Sequence, residues 1–193
     1  MAHNHAIDEA AKLLCMQRIR KLKIDPLRLC YESPIYFETI SRYCEHTRQI
    51  RSEITAHSGS PDGLAIIRED KIPLVLYNER LSECRRAFTL AHEVGHIRLC
   101  HRNDDAKSER EANAFAANLL APRILLWEMN CRNGGGAITA SQICAAFNVS
   151  KTTAALQIRR LPATPEAFSR AERQLLEIYR PLLSQPDEPT LGF

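Results

Sequence analysis

The sequence predicts a mixed α+β fold: a helical frame around a small antiparallel sheet, followed by a helical C-terminal part of helix-turn-helix type. Three observations carry this. Residues 88–97, FTLAHEVGHI, read as a helix with an apolar setting; residues 108–122, SEREANAFAANLLAP, read as a second helix of small residues. Two short β-type runs, 64–68 and 72–77, stand either side of Glu69-Asp70-Lys71 and read as a hairpin. After Asn133-Gly134-Gly135-Gly136, the clearest linker, comes ITASQICAAFNVSKTTAALQIRRL at 138–161, two helices about a turn at Asn148-Val149-Ser150. The expected division is 1–132 for the α+β part with its N-terminal helices, 133–183 for the helical part, and a disordered tail over 184–193.

Taken in order, residues 7–22 form a helix with Ile7, Ala10, Ala11, Leu14 and Met16 as its apolar stripe. Arg18, Arg20, Lys21 and Lys23 gather at its end, where the helix dipole favours cations, and read as a solvated face. His3 and His5 belong to a frayed terminus. Ser33-Pro34 reads as an N-cap followed by proline at the first helical position, giving a helix to about Glu45 with Ile35, Ile40 and Tyr43 inward. From Thr47, Ile50 and Ile54 alternate with charged residues and suggest a strand, before the turn residues of 58–63. Ser82 stands as N-cap of the motif helix, with Glu83, Cys84 and Arg85 in its first turn. Pro122 closes the second long helix, and 124–129 is a further apolar segment containing Trp127. A last helix over 165–183 packs Phe168, Leu175, Leu176, Ile178 and Tyr179.

The first long helix holds one His-Glu-x-x-His pattern, His92-Glu93-Val94-Gly95-His96. Residues four apart share a helix face about one turn apart, so both imidazoles can point at one ion. Glu93 sits close enough to act on water at that ion without ligating it, which is the arrangement zinc hydrolysis needs. Gly95 lowers helix propensity by about 1 kcal/mol against alanine, which suggests something packing close by. A third ligand lies outside the motif. The metzincin pattern fails, because Leu99 and Arg102 stand where glycine and histidine are required. Glu109 is the better candidate, on a face with Ala112, Asn113, Ala116 and Leu120; Asn113 can orient a ligand from behind, and Glu111, on the face with Phe115, is the rival. Cys100 reads as a packed thiol. Tyr77 and His101 are the guesses for a donor to the oxyanion.

FTLAHEVGHIRLCH followed by SEREANAFAANLLAP resembles the ImmA/IrrE family of metallopeptidases, specifically over 85–122 and more loosely from about 62 to about 161. The one departure is Ala121, where the family often has methionine before the closing proline. The resemblance implies a zincin-like domain with a gluzincin-type site: His92, His96 and Glu109 as zinc ligands and Glu93 as general base. It implies a zinc endopeptidase that cuts a helix-turn-helix transcriptional repressor and so relieves repression. Manganese or cobalt would also suit two histidines and a carboxylate. The hairpin edge beside the ion is either a platform for an extended substrate or scaffold alone.

Composition narrows the rest. The chain has 193 residues, 45% hydrophobic and 25% charged, as an ordinary globular domain does, and its net charge of +3 is too small to argue for nucleic acid or membrane. Seven cysteines without a Cys-x-x-Cys pair read as reduced thiols. No signal peptide and no membrane-length apolar run are expected, which points to the cytoplasm. DNA contact remains a rival role for 138–161, with Lys151, Thr152, Thr153 and Gln157 as readers; its flanks are not strongly basic.

Overall fold

The computed structural model describes residues 2–18, 20–58, 61–68, 71–103 and 105–184; of the tail expected over 184–193, Ser184 ends a 3-10 turn and the rest lies outside the described residues. The order is α1 (Ala2–Cys15), β1 (Tyr36–Thr39), α2 (Ile40–Thr47), α3 (Arg51–Ser58), β2 (Gly63–Ile66), β3 (Leu74–Tyr77), α4 (Glu83–Arg98), α5 (Ala106–Leu120), α6 (Arg123–Arg132), α7 (Ala140–Phe147), α8 (Lys151–Arg159) and α9 (Arg170–Tyr179). The fold is α+β, and no helix among the described residues is long and apolar enough to cross a membrane.

α5 is the axis. Its run of small residues leaves Ala112, Ala114, Phe115, Ala116, Ala117, Leu119 and Leu120 buried, so neighbours can close on it from several sides. α4 and α1 pack against it, and α9 packs on α1. The core joins Leu13 and Leu14 of α1 to Phe115 and Leu119 of α5, and takes in Ile143 and Phe147 of α7, Ala154 of α8 and Leu175 of α9. Side chains from both sides of the triple glycine thus enter one buried cluster.

The sheet has the order β1-β3-β2. The expected hairpin is present, with β2 antiparallel to β3 and Gly63 opposite Tyr77. The sheet is nevertheless mixed, because β1 runs parallel to β3 with Tyr36 opposite Leu74. That strand replaces the first turns of the helix expected after Pro34. Its β-favouring Tyr36, Phe37 and Thr39 gain backbone partners on β3 that sequence spacing does not show. The helix starts at Ile40 instead, capped by Thr39, whose hydroxyl accepts from the Arg42 N–H. The strand expected around Ile50 and Ile54 is helix α3. Two apolar residues four apart satisfy either period, and only Ile54 is buried, while Ile50 is 59% exposed.

α1 also ends earlier than expected, at Cys15. Gln17 explains the stop: its buried amide donates to Leu13 O and Cys30 O, and its oxygen accepts from Cys30 N–H. Arg18, Arg20, Lys21 and Lys23 therefore lie beyond the helix, and Met16 points outward. At the other end of the chain the single helix expected over 165–183 is broken into a 3-10 turn at Pro165–Ala167, α9, and a second such turn at Arg180–Ser184.

Candidate metal centre

α4 and α5 form an antiparallel pair, and two rows of side chains face each other across it. Phe88, His92 and His96 make one row, each a turn apart; Ala117, Asn113 and Glu109 make the other in the opposite sense. α4 begins at the expected Ser82, although that hydroxyl faces the Cys84 thiol at 3.7 Å and makes no capping bond. α5 is started by Asp105, whose carboxylate accepts from the Lys107 and Ser108 N–H groups at 2.9 and 2.8 Å. Glu109 follows in the first turn.

Close approach of the two helices depends on Gly95. A Cβ there would meet Phe115 Cδ1 at 3.1 Å and the Cα and O of Ala112 at 3.3 Å each. Gly63 plays the matching role for the sheet, since a Cβ there would meet the Thr89 methyl at 2.6 Å and Leu76 O at 2.8 Å. β2 is thereby pressed onto α4 one turn before Glu93.

The result is a triangle of donor atoms. His92 Nε2 and His96 Nε2 are 3.0 Å apart. Glu109 Oε2 is 3.5 Å from the first and Glu109 Oε1 is 3.3 Å from the second. Two donors bound tetrahedrally at about 2.0–2.1 Å from one ion stand about 3.3–3.4 Å apart. The three distances straddle that value, with one Glu109 oxygen facing each histidine, and among the described residues His92, His96 and Glu109 form a group that could hold a metal ion. Burial holds the His92 pKa below its ordinary value, against the Glu109 charge and a side-chain hydrogen bond with Asn113. The ring is thus neutral near pH 7, the state that ligates.

A second layer lies behind His96, and sequence reasoning missed it. The end of α4 is a Schellman motif: Cys100 adopts φ +53°, Cys100 N–H donates to Ile97 O at 3.2 Å, and His101 N–H donates to His96 O at 3.0 Å. This reversal sets His101 Nδ1 3.2 Å from His96 Nδ1, with His101 Nε2 3.1 Å from Glu111 Oε2. An ionised carboxylate only accepts, so His101 carries its proton on Nε2. Its bare Nδ1 then accepts from His96 Nδ1–H, which leaves His96 Nε2 with a free lone pair toward the triangle. Glu111 and His101 therefore fix the tautomer and ring orientation of His96, as carboxylate partners of ligating histidines do.

Other singled-out residues fall elsewhere. Glu111 does not join the triangle. His101 lies behind His96, not on the open side, and Tyr77 lines a cavity of about 570 Å³ between the sheet and α2. Cys100 is exposed at the left-handed turn, not packed. Asn113 does reach His92 as expected. α7 and α8 have the expected helix-turn-helix order, with Asn148 left-handed at the turn. Gln157 is buried, its amide donating to Ala117 O and Ala121 O of the α5 end at 3.2 and 2.8 Å. Lys151 and Thr152 are exposed.

A family model, Peptidase_M78, described as the IrrE N-terminal-like domain, matches residues 49–159. That is more than half of the 193 residues and contains β2 through α8. No curated protein gives a significant match.

Proposed function

The chain belongs to the IrrE N-terminal-like family of metallopeptidases, and on that premise we propose that it is a zinc-dependent endopeptidase acting on one specific protein. The observation that carries the reading is the donor triangle of His92, His96 and Glu109, with Glu93 on the same helix between the two histidines. Zinc suits two imidazoles and a carboxylate near tetrahedral spacing, and bound there it polarises the scissile carbonyl and makes water acidic enough to attack near pH 7. Glu93 accepts the proton of the attacking water and delivers it to the leaving amine as the C–N bond breaks, so the carboxylate ends the cycle ionised. Glu111 and His101 hold His96 in place through that cycle. β2 pairs only with β3 among the described residues, and its free edge, set on α4 beside Thr89, suits an extended substrate backbone.

The substrate class follows from the family resemblance: a helix-turn-helix transcriptional repressor whose cleavage relieves repression. The rival reading has α7 and α8 contact DNA, and it loses one of its four expected readers, since Gln157 is engaged with α5. The deciding experiment compares zinc-loaded wild type with zinc-loaded Glu93→Gln against the repressor encoded beside this gene. Fragments of defined mass from wild type alone, at equal zinc content, are the expected outcome. Cleavage by Glu93→Gln would overturn the mechanism, and binding without fragments by both would make the chain a repressor-binding module.

A further inference from the structure

Beyond the metal, the two facing rows continue into a cavity of about 660 Å³ walled by α4, α5 and the second helix of the helix-turn-helix segment, α8. Phe88, one turn before His92, and Ala117, one turn after Asn113, give it an apolar floor, and Leu156 of α8 closes it. Asn113 lines the same cavity and hydrogen-bonds His92, so the cavity starts about one helical turn from a ligand of the proposed zinc site. Its position is secured by Gln157, which pins α8 to the end of α5. The charged side chains that line it are arginines. Arg85, Arg110 and Arg160 all line it, and among the described residues no aspartate or glutamate does. Arg85 is held by Asp62 at 2.6 Å, whereas Arg110 and Arg160 are exposed on either side, one from α5 and one from the end of α8.

We propose that this cavity is the specificity site of the peptidase: it takes a large apolar side chain next to the cleaved bond, with Arg110 and Arg160 holding an acidic residue beside it. An apolar floor rewards burial of a Leu, Phe or Met side chain, and a rim of arginines selects against basic neighbours. α8 thereby reads the substrate peptide. The inference rests on the peptidase reading for the meaning of "next to the cleaved bond", but the cavity can be tested for binding without turnover.

The test uses one library of peptides from a digested bacterial proteome. Zinc-loaded full-length protein cuts it, with the sites read by mass spectrometry, and immobilised zinc-loaded Glu93→Gln captures from the same library. Both readouts should show a large apolar residue at one fixed position and Asp or Glu within two residues of it. The exposed double change Arg110→Glu and Arg160→Glu should remove the acidic preference by about tenfold at unchanged zinc content. Leu156→Trp, which fills the cavity, should shift the fixed position toward Ala and Gly. Cleavage without that signature, or a signature indifferent to both variants, overturns the cavity while the peptidase reading stands. Capture with the signature but no cleavage of either the peptides or the repressor keeps the cavity and overturns the peptidase reading. If peptides are neither cut nor captured, the cavity falls, and the peptidase reading is decided by the repressor-cleavage experiment.

Discussion

Replacing Gly95 by alanine tests whether the spacing of α4 and α5 sets the metal geometry. The added methyl would stand 3.1 Å from the Phe115 ring and 3.3 Å from two backbone atoms of Ala112, against 3.4 Å or more for ordinary contact. The ring edge can swing. The Ala112 backbone cannot move unless α5 moves, and the displacement it requires is about 0.1 Å, from the 3.3 Å contact to 3.4 Å. Glu109 lies one turn from Ala112 on that rigid helix and travels with it. Ligand distances tolerate about ±0.2 Å, so a shift of that size keeps the third ligand within reach of the same ion. Alanine gains about 1 kcal/mol of helix propensity over glycine, while overpacking a close-packed core costs about 1–3 kcal/mol. Gly95→Ala should therefore lose about 0–2 kcal/mol of metal-free stability by urea unfolding. Its zinc affinity, measured by competition with a chromogenic chelator, should fall by less than about tenfold, since the ligands stay within their tolerance. A variant more stable by about 1 kcal/mol, with unchanged affinity, would show that helix propensity alone governs this position and refute the packing argument.

Glu109→Ala should weaken zinc binding more than Glu111→Ala. The latter should still lose about 10–100-fold, because His101 no longer has the acceptor that fixes the His96 tautomer; the reverse order in the same chelator assay would make Glu111 the ligand. Gln157→Leu should lose about 1–3 kcal/mol in urea unfolding, since it strips the amide donor from the Ala121 carbonyl, while Ala117 O keeps the Ala121 N–H. Cys100→Gly should gain about 1 kcal/mol by relieving the left-handed backbone at that position, with zinc affinity unchanged; a loss of stability there would show that the thiol contributes more than the backbone strain.

What the sequence revealed and what it hid divide along a physical line. His92, Glu93, His96 and the Glu109 face were legible because four-residue spacing on a helix is a local property, readable before any tertiary contact exists. The two strands of the hairpin and the two helices around Asn148 were legible for the same reason, each bounded by its own turn residues. β1 was not, because its partner on β3 lies far along the chain and Pro34 offers an equally good helix start. α3 was not, because Ile50 and Ile54 fit two periods. His101 was hidden by its neighbour: a glycine at position 100 would have announced the left-handed end of α4, and a cysteine there does not. The role of Glu111 depends in turn on that reversal, so no spacing rule could separate it from Glu109 by more than preference.

The helix-turn-helix segment is where local pattern and tertiary placement part company. Two short helices, capped by Thr139 and Ser150 and joined at a left-handed Asn148, are what a DNA-reading module looks like in sequence. A reader helix in such a module must present its polar residues outward to a groove. Here Gln157 faces inward, and its two bonds fall on the last carbonyls of α5, the helix that carries Glu109 at its other end. The segment is thus tied to the helix of the metal centre through the polar side chain that a DNA module would keep free. Its Ser150, Thr152, Thr153 and Leu156 line the cavity beside the proposed zinc site. A wall held to the α5 end in this way cannot swing away without taking the Gln157 donor from the Ala121 carbonyl, at about 1–3 kcal/mol, while Ala117 O keeps the Ala121 N–H. The same bonds that take Gln157 from the DNA-reading role make α8 a rigid side of the proposed specificity cavity.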